Sequence, residues 1–256
     1  MEQKKTIALH ELHGYLDNCL PDLPGVDSAP NGLQVEGKNK IAKIGTAVSA
    51  SLETLQEAVK RGVDALIVHH GLFWFKDAFI LKGAKKEKLS LLLKKEISLF
   101  AYHLPLDLHS EWGNNWRAAR DMGWKELEPF YSLHGHCIGV KGLVDAASPQ
   151  KMQKKLEKYY QHPATVALGG KKMIQRIGLI SGGAYKMTSQ AAEEGLDAFV
   201  TGNFDEPVWH TAFEEGIHFF SLGHAATERV GPRSLALHLH EKYGVPCEFL
   251  DLPNPF

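Results

Sequence analysis

Apolar residues recur along the chain in two rhythms. From 6 to 20, Ile7, Leu9, Leu12, Leu16 and Leu20 keep a helical spacing that stops before Pro21, which predicts an amphipathic helix. Elsewhere they fall in short runs, at 33–35, 43–48, 65–68 and 97–102, which predict strands. Unbroken apolar runs of that kind belong to sheets covered on both faces. Helices are expected between them: one capped by Ser51 and closed at Gly62, one over 82–97 with Leu89, Leu92 and Leu93 on its apolar side, and one over 116–122 closed by Gly123. The expected class is α/β.

The pattern changes around 126–131, where Pro129 and a polar-aromatic mixture read as a connection, and a second series of strands and helices starts near Cys137. Residues 43–65, KIGTAVSASLETLQEAVKRGVDA, align without gaps on 176–198, RIGLISGGAYKMTSQAAEEGLDA, with Ile44, Gly45, Ala58, Gly62, Asp64 and Ala65 each meeting an identical residue. The strand before His103, at 97–100, likewise resembles the one at 217–220 before His224. Duplication of a unit gives such a match; so does the ordinary grammar of strand-helix-strand segments, in which Gly ends helices. Both predict two similar α/β units, with sheets covered by helices. The first is expected over 1–128, joined by the C-terminal segment 225–256, and the second over 129–224. That segment is read as a helix over 227–243, stopped by Gly244, and a last strand at 247–250.

Composition narrows the partners. A net charge of −1 provides no basic field for nucleic acid. The lysines of 82–97 are interrupted by Glu87 and Glu96 and read as a solvated helix face ahead of a nucleic-acid patch. Cys19, Cys137 and Cys247 stand far apart, with no CxxC spacing, and are expected to be reduced and mostly buried. The N-terminus is charged and then amphipathic, and no apolar stretch is long enough to cross a bilayer, so a cytoplasmic protein is expected. The 14 histidines are the unusual feature, because imidazole is a common ligand for transition metals.

Six metal-type side chains follow three predicted strands: His69 and His70, then His103 and Asp107, then His224 and Glu228. Loops converge at the carboxyl ends of strands in α/β sheets, which is where ligands are held. Each piece alone has an ordinary explanation: a hydrogen-bonded His pair, a turn aspartate, a surface His-Glu pair four residues apart on a helix. Their equivalent placement favours a joint role. Nitrogen and carboxylate donors without sulfur suit Zn, Fe, Mn or Ni. Three histidines and two carboxylates exceed one tetrahedral ion with an open position, but fit two ions about 3.5–4 Å apart, bridged by Asp107 and Glu228. The turn Ser181-Gly182-Gly183 is a candidate anion cradle through its backbone N–H groups.

Asn31-Gly-Leu-Gln-Val35, DALIVHHGL at 64–72, AYHLPLD at 101–107, the segment 177–183, DAFVTG at 197–202, GHAATE at 223–228 and FLDLPNPF at 249–256 together resemble the Nif-three-like dinuclear metal-binding family. Its bacterial members carry the name GTP cyclohydrolase I type 2 homologue. The resemblance implies two similar α/β units, two divalent ions held by His69, His70, Asp107, His224 and Glu228, His103 nearby as a proton carrier, and a ring-shaped homohexamer. It implies a metal-dependent hydrolase acting on a nucleotide such as GTP; the alternative is a non-catalytic protein that binds or delivers metal or docks a partner. Two positions depart from the family pattern: Ser49-Ala50, where many members carry an acidic residue, and Asn203, where many have Glu.

Overall fold

The computed structural model describes residues 5–171 and 173–256; the charged residues 1–4 lie outside the described residues. Ile7–Ala8 (β1) precedes Leu9–Cys19 (α1), so the first helix starts later than its periodicity suggests. The cause is pairing: β1 runs antiparallel to Lys40–Ile41 (β3), and the Leu9 N–H donates to Asn39 O at 2.8 Å, which holds Ala8 extended. Gly32–Val35 (β2), Ile44–Ser49 (β4), Leu52–Lys60 (α2), Ala65–His70 (β5), Gly83–Lys95 (α3) and Ser98–Ala101 (β6) follow close to expectation. Ser51 caps α2 by accepting from the Thr54 N–H at 3.0 Å.

Next come Leu104–Leu108 (α4), Asn114–Asp121 (α5), Lys125–Leu133 (β7) and His136–Ala147 (β8). The expected connection at 126–131 is therefore a strand. Pro129 is tolerated because β7 lies at the edge of its sheet, where a missing N–H breaks no inner ladder. Its hairpin with β8 turns on His134 and Gly135, both at positive φ, a two-residue geometry matching strand twist. The remaining elements are Pro149–Tyr160 (α6), Thr165–Leu168 (β9), Ile174–Leu179 (β10), Thr188–Glu193 (α7), Ala198–Thr201 (β11), Glu206–Glu214 (α8), His218–Ser221 (β12), His224–Thr227 (α9), Val230–Tyr243 (α10) and Cys247–Phe249 (β13). The helix read over 227–243 is thus two helices, interrupted after Thr227.

The chain divides into two units, one running to Gly113 and resuming over Gly231–Pro253, the other Asn114–Val230 with Asn254–Phe256. Residues 114–128, 225–230 and 254–256, placed in the first unit by the sequence reading, belong to the second: Ala118 and Ala119 of α5 pack with Val140 and Val144 of β8, and β7 is hydrogen-bonded to β8. The first unit's sheet has the order β13-β4-β5-β6-β2, parallel except for β2. Ile67 and Phe100 face the α1 and α10 side, with Leu12, Leu16, Leu235 and Leu239. Their neighbours Leu66 and Leu99 face the α2 and α3 side, with Leu55, Ala58 and Leu92. Alternation with both faces covered explains the unbroken apolar runs.

The second unit's sheet runs β7-β8-β10-β11-β12-β9, with β10, β11 and β12 parallel. The self-match extends to atoms. Asp64 Oδ2 accepts from the Ala42 and Lys43 N–H groups at 2.7 and 3.0 Å; Asp197 Oδ2 accepts from Gln175 and Arg176 at 3.0 and 2.8 Å. Gly62 and Gly195 close the preceding helices at φ of 68° and 69°. Such a left-handed residue costs least as glycine. The three cysteines are free, but Cys137 is exposed and Cys19 and Cys247 are half-buried, so the expectation of mostly buried thiols does not hold. No helix among the described residues is long and apolar enough to cross a membrane.

Candidate metal centre

In the first unit, β5 ends in His69, fully buried, and His70, half-buried. The carboxyl end of the neighbouring parallel strand β6 leads through Tyr102 to His103, and α4 then brings in Asp107. His69, His70 and His103 each offer a ring nitrogen within 4.8 Å of the others, and His69 Nε2 lies 3.7 Å from Asp107 Oδ2. Trp74 sets its ring edge-on to His103 at 5.2 Å between centroids. Three of the four predicted donors of this unit therefore form one cluster, with Asp107 beside His69.

The loops holding the cluster use residues that periodicity does not single out. Asp27 is buried and takes His103 Nδ1 at 2.6 Å, the Leu104 N–H at 2.9 Å and the Asn31 amide at 3.0 Å. Asn31 returns its Oδ1 to the His103 N–H at 2.7 Å. Gln34 accepts from the Leu72 N–H at 2.8 Å, just after the His-His pair. Burial alone would raise the Asp27 carboxyl, but the His103 hydrogen bond and charge, with the Asn31 and Leu104 donors, outweigh it and hold the pKa at about 2. Sequence reasoning missed Asp27, because a loop Asp also accepts locally, as it does here from the Ala29 N–H at 3.2 Å.

In the second unit, α9 begins where β12 ends, and His224 Nε2 lies 3.1 Å from Glu228 Oε1. Glycines make the room. A Cβ on Gly182 would fall on Glu228 Oε1 and lie 3.2 Å from His224 Nε2, while one on Gly202 would meet His224 Cα at 2.6 Å and Gly182 O at 2.7 Å. The Gly182 N–H donates to Thr227 Oγ1 at 3.0 Å. The turn 181–183, a candidate anion cradle in the sequence, faces a carboxylate of its own unit.

A shared feature tests whether these residues suit a cation. The Nδ1 atoms of all four histidines meet a protein oxygen: Tyr102 O for His69 at 3.1 Å, Ser49 Oγ for His70 at 3.0 Å, Asp27 Oδ1 for His103 at 2.6 Å and Asn203 Oδ1 for His224 at 3.2 Å. A carbonyl or carboxylate oxygen can only accept, so neutral His69 and His103 carry their proton on Nδ1 and present the Nε2 lone pair. Histidines that ligate metals are oriented in this way by an acceptor on the other nitrogen. In both His69 and His224 the other ring nitrogen, Nε2, lies beside a carboxylate. The donor set fits a divalent transition metal. Ser49 and Asn203, the two departures noted in the sequence, are two of the four orienting groups.

Fold and side chains define an α/β protein of two related units with His and Glu groups that could bind a metal. The chain belongs to the DUF34/NIF3 (NGG1p interacting factor 3) family, whose match spans residues 7–255. A Chlamydia pneumoniae relative named GTP cyclohydrolase 1 type 2 homolog is 44% identical over 248 residues, 96% of this chain and 98% of its own length. The solved structure of protein ybgI, of unknown function, is 36% identical with a TM-score of 0.92, covering 98% of this chain and 100% of that one. TTHA1606 from Thermus thermophilus is 37% identical with a TM-score of 0.88, over 98% and 100% of the two chains.

Proposed function

We propose that this chain is a metal-dependent hydrolase of nucleotide-like substrates, in which His69, His70, Asp107, His224 and Glu228 hold two divalent ions and His103 carries a proton. The observation that supports it most is the set of four imidazoles turned by oxygen partners on Nδ1. Divalent ions bound by these donors would supply Lewis acidity and a water activated near neutral pH. Asp107 and Glu228 are the buried carboxylates that would hold such ions beside the imidazoles. His103 is tied through Nδ1 to Asp27, so it exchanges its proton with substrate at Nε2. The name shared by the curated relatives points to GTP as the first substrate to try.

The test is GTP turnover by protein loaded with Zn, Fe, Mn or Ni, beside Glu228→Ala, with bound metal measured in both. Metal-dependent turnover is expected in the parent and a loss of at least about a hundredfold in the variant, the scale at which removing one transition-state contact is felt. Equal rates would end the catalytic reading and leave a metal-binding or metal-delivery protein. The homohexamer implied by the family belongs to the same proposal and is checked by sedimentation equilibrium.

A further inference from the structure

The loop after β5 carries three aromatic residues in a row, and each meets a different environment. Phe73 packs on the core formed by α2, α3 and β5, with the Lys85 ammonium 5.1 Å from its ring centre. Phe75 is exposed. Trp74, between them, is half-buried and joins none of the hydrophobic clusters found among the described residues. Its indole lies instead against two histidines of the site, 5.8 Å from His70 and 5.2 Å from His103 between ring centroids. The backbone around it is pinned. The Leu72 N–H donates to Gln34 Oε1 at 2.8 Å, the Phe75 N–H to Ser28 O at 3.0 Å and the Asp77 N–H to Trp74 O at 3.0 Å. Two of these anchors come from the stretch 27–34, which also orients His103 through Asp27 and Asn31. A large flat ring held in place beside a site and left partly open to solvent is a preformed surface for another ring, because the entropy of ordering it is lost before anything binds.

We infer that Trp74 is a specificity-determining residue, the stacking wall on which the purine ring of a nucleotide substrate lies beside His70 and His103. This deepens the hydrolase reading and rests on its nucleotide-like substrate. The test is calorimetric titration of the parent, Trp74→Leu and Trp74→Phe with GTP, guanosine and inorganic tripolyphosphate, with and without Zn2+. Leucine keeps apolar bulk but removes the aromatic face, whereas phenylalanine keeps a face. Trp74→Leu is expected to bind GTP and guanosine at least about tenfold more weakly, the usual weight of one base on one aromatic ring. Tripolyphosphate, which has no ring, should bind parent and variant alike, and Trp74→Phe should keep most of the affinity for all three. Where GTP is turned over, KM should rise in Trp74→Leu with kcat close to the parent's, since a stack made equally before and during reaction is uniform binding. Unchanged guanosine binding by folded Trp74→Leu overturns the inference. So does an equal loss for tripolyphosphate, which would make Trp74 a general support of the site. Should Trp74→Leu not fold, quenching of indole fluorescence by guanosine carries the test: it is expected in the parent and absent in Trp74→Phe, and quenching that persists in full overturns the inference. A parent that binds guanosine through Trp74 yet leaves GTP intact upholds this inference and removes only the hydrolase reading. A parent that binds neither GTP nor guanosine removes the nucleotide reading and this inference with it.

Discussion

The two units repeat a backbone but fill equivalent positions with different chemistry. The gapless match that sets Asp64 on Asp197 also sets His69 and His70, at the end of β5, on Gly202 and Asn203 after β11, and Ser49 on Gly182. The next strand pair agrees, since the Tyr102 N–H donates to Val68 O and the Leu222 N–H to Thr201 O, each at 2.9 Å. His103 then corresponds to Gly223 and its follower Leu104 to His224. The first unit puts its three histidines at the strand ends themselves. The second has glycine at two of those positions, Gly202 and Gly223, and the space admits donors from the following helix. A repeated scaffold fixes where loops converge, and side-chain volume at a few strand ends decides which element fills the space.

The sharpest way to break the comparison is to give the second unit a side chain at its strand end. Gly202→Ala drives a Cβ into backbone atoms, His224 Cα and Gly182 O, which cannot swing aside. A loss of about 3 kcal/mol is expected, the upper part of the overpacking range, and urea unfolding of the metal-free protein measures it. An unchanged midpoint would mean that the glycine does not make the room.

The partners of His103 and His224 give a second contrast, between a carboxylate and a neutral amide. The Asp27 carboxyl, at about 2 when folded, lies below its unfolded value near 4. Its contribution is therefore complete above about pH 4 and is lost as pH falls toward about 2, by roughly 2 kcal/mol. In Asp27→Asn this acid-dependent part should vanish from a stability-versus-pH curve. Asn203→Ala should leave the slope unchanged.

The half of the comparison that the two units share gives the smallest effect. Asp64→Ala and Asp197→Ala each strand two backbone N–H groups, for about 2 and about 1 kcal/mol. Asp64 should cost more because it is buried and also pairs with Lys38, whereas Asp197 is half-buried. Denaturation of both variants checks the order, and a reversed order would show that the two loops do different work.

The parts of this architecture visible in the sequence are those written in local spacing. Leu66 and Ile67 alternate between two covered faces, so their strand stood out as an unbroken apolar run. Ser51 and Gly62 marked the ends of α2 through capping chemistry that acts within a few residues. β7 escaped because an edge strand is wetted on both sides and carries Pro129, leaving the His134-Gly135 turn as its one local signal. The histidines and carboxylates were visible as types placed after strands. Asp27 was not, since its partner His103 is 76 residues away and nothing in the loop's own pattern points there.

By itself, then, the sequence determined the α/β class, the repeated strand-helix-strand order and the identity of the donor side chains, because hydrophobic period, caps and residue chemistry are properties of neighbours along the chain. Only the tertiary structure decided which oxygen meets each imidazole, and so which ring nitrogen is presented. It also decided which glycines keep space for His224 and Glu228, because these depend on atoms brought together by the sheet from distant stretches of the chain.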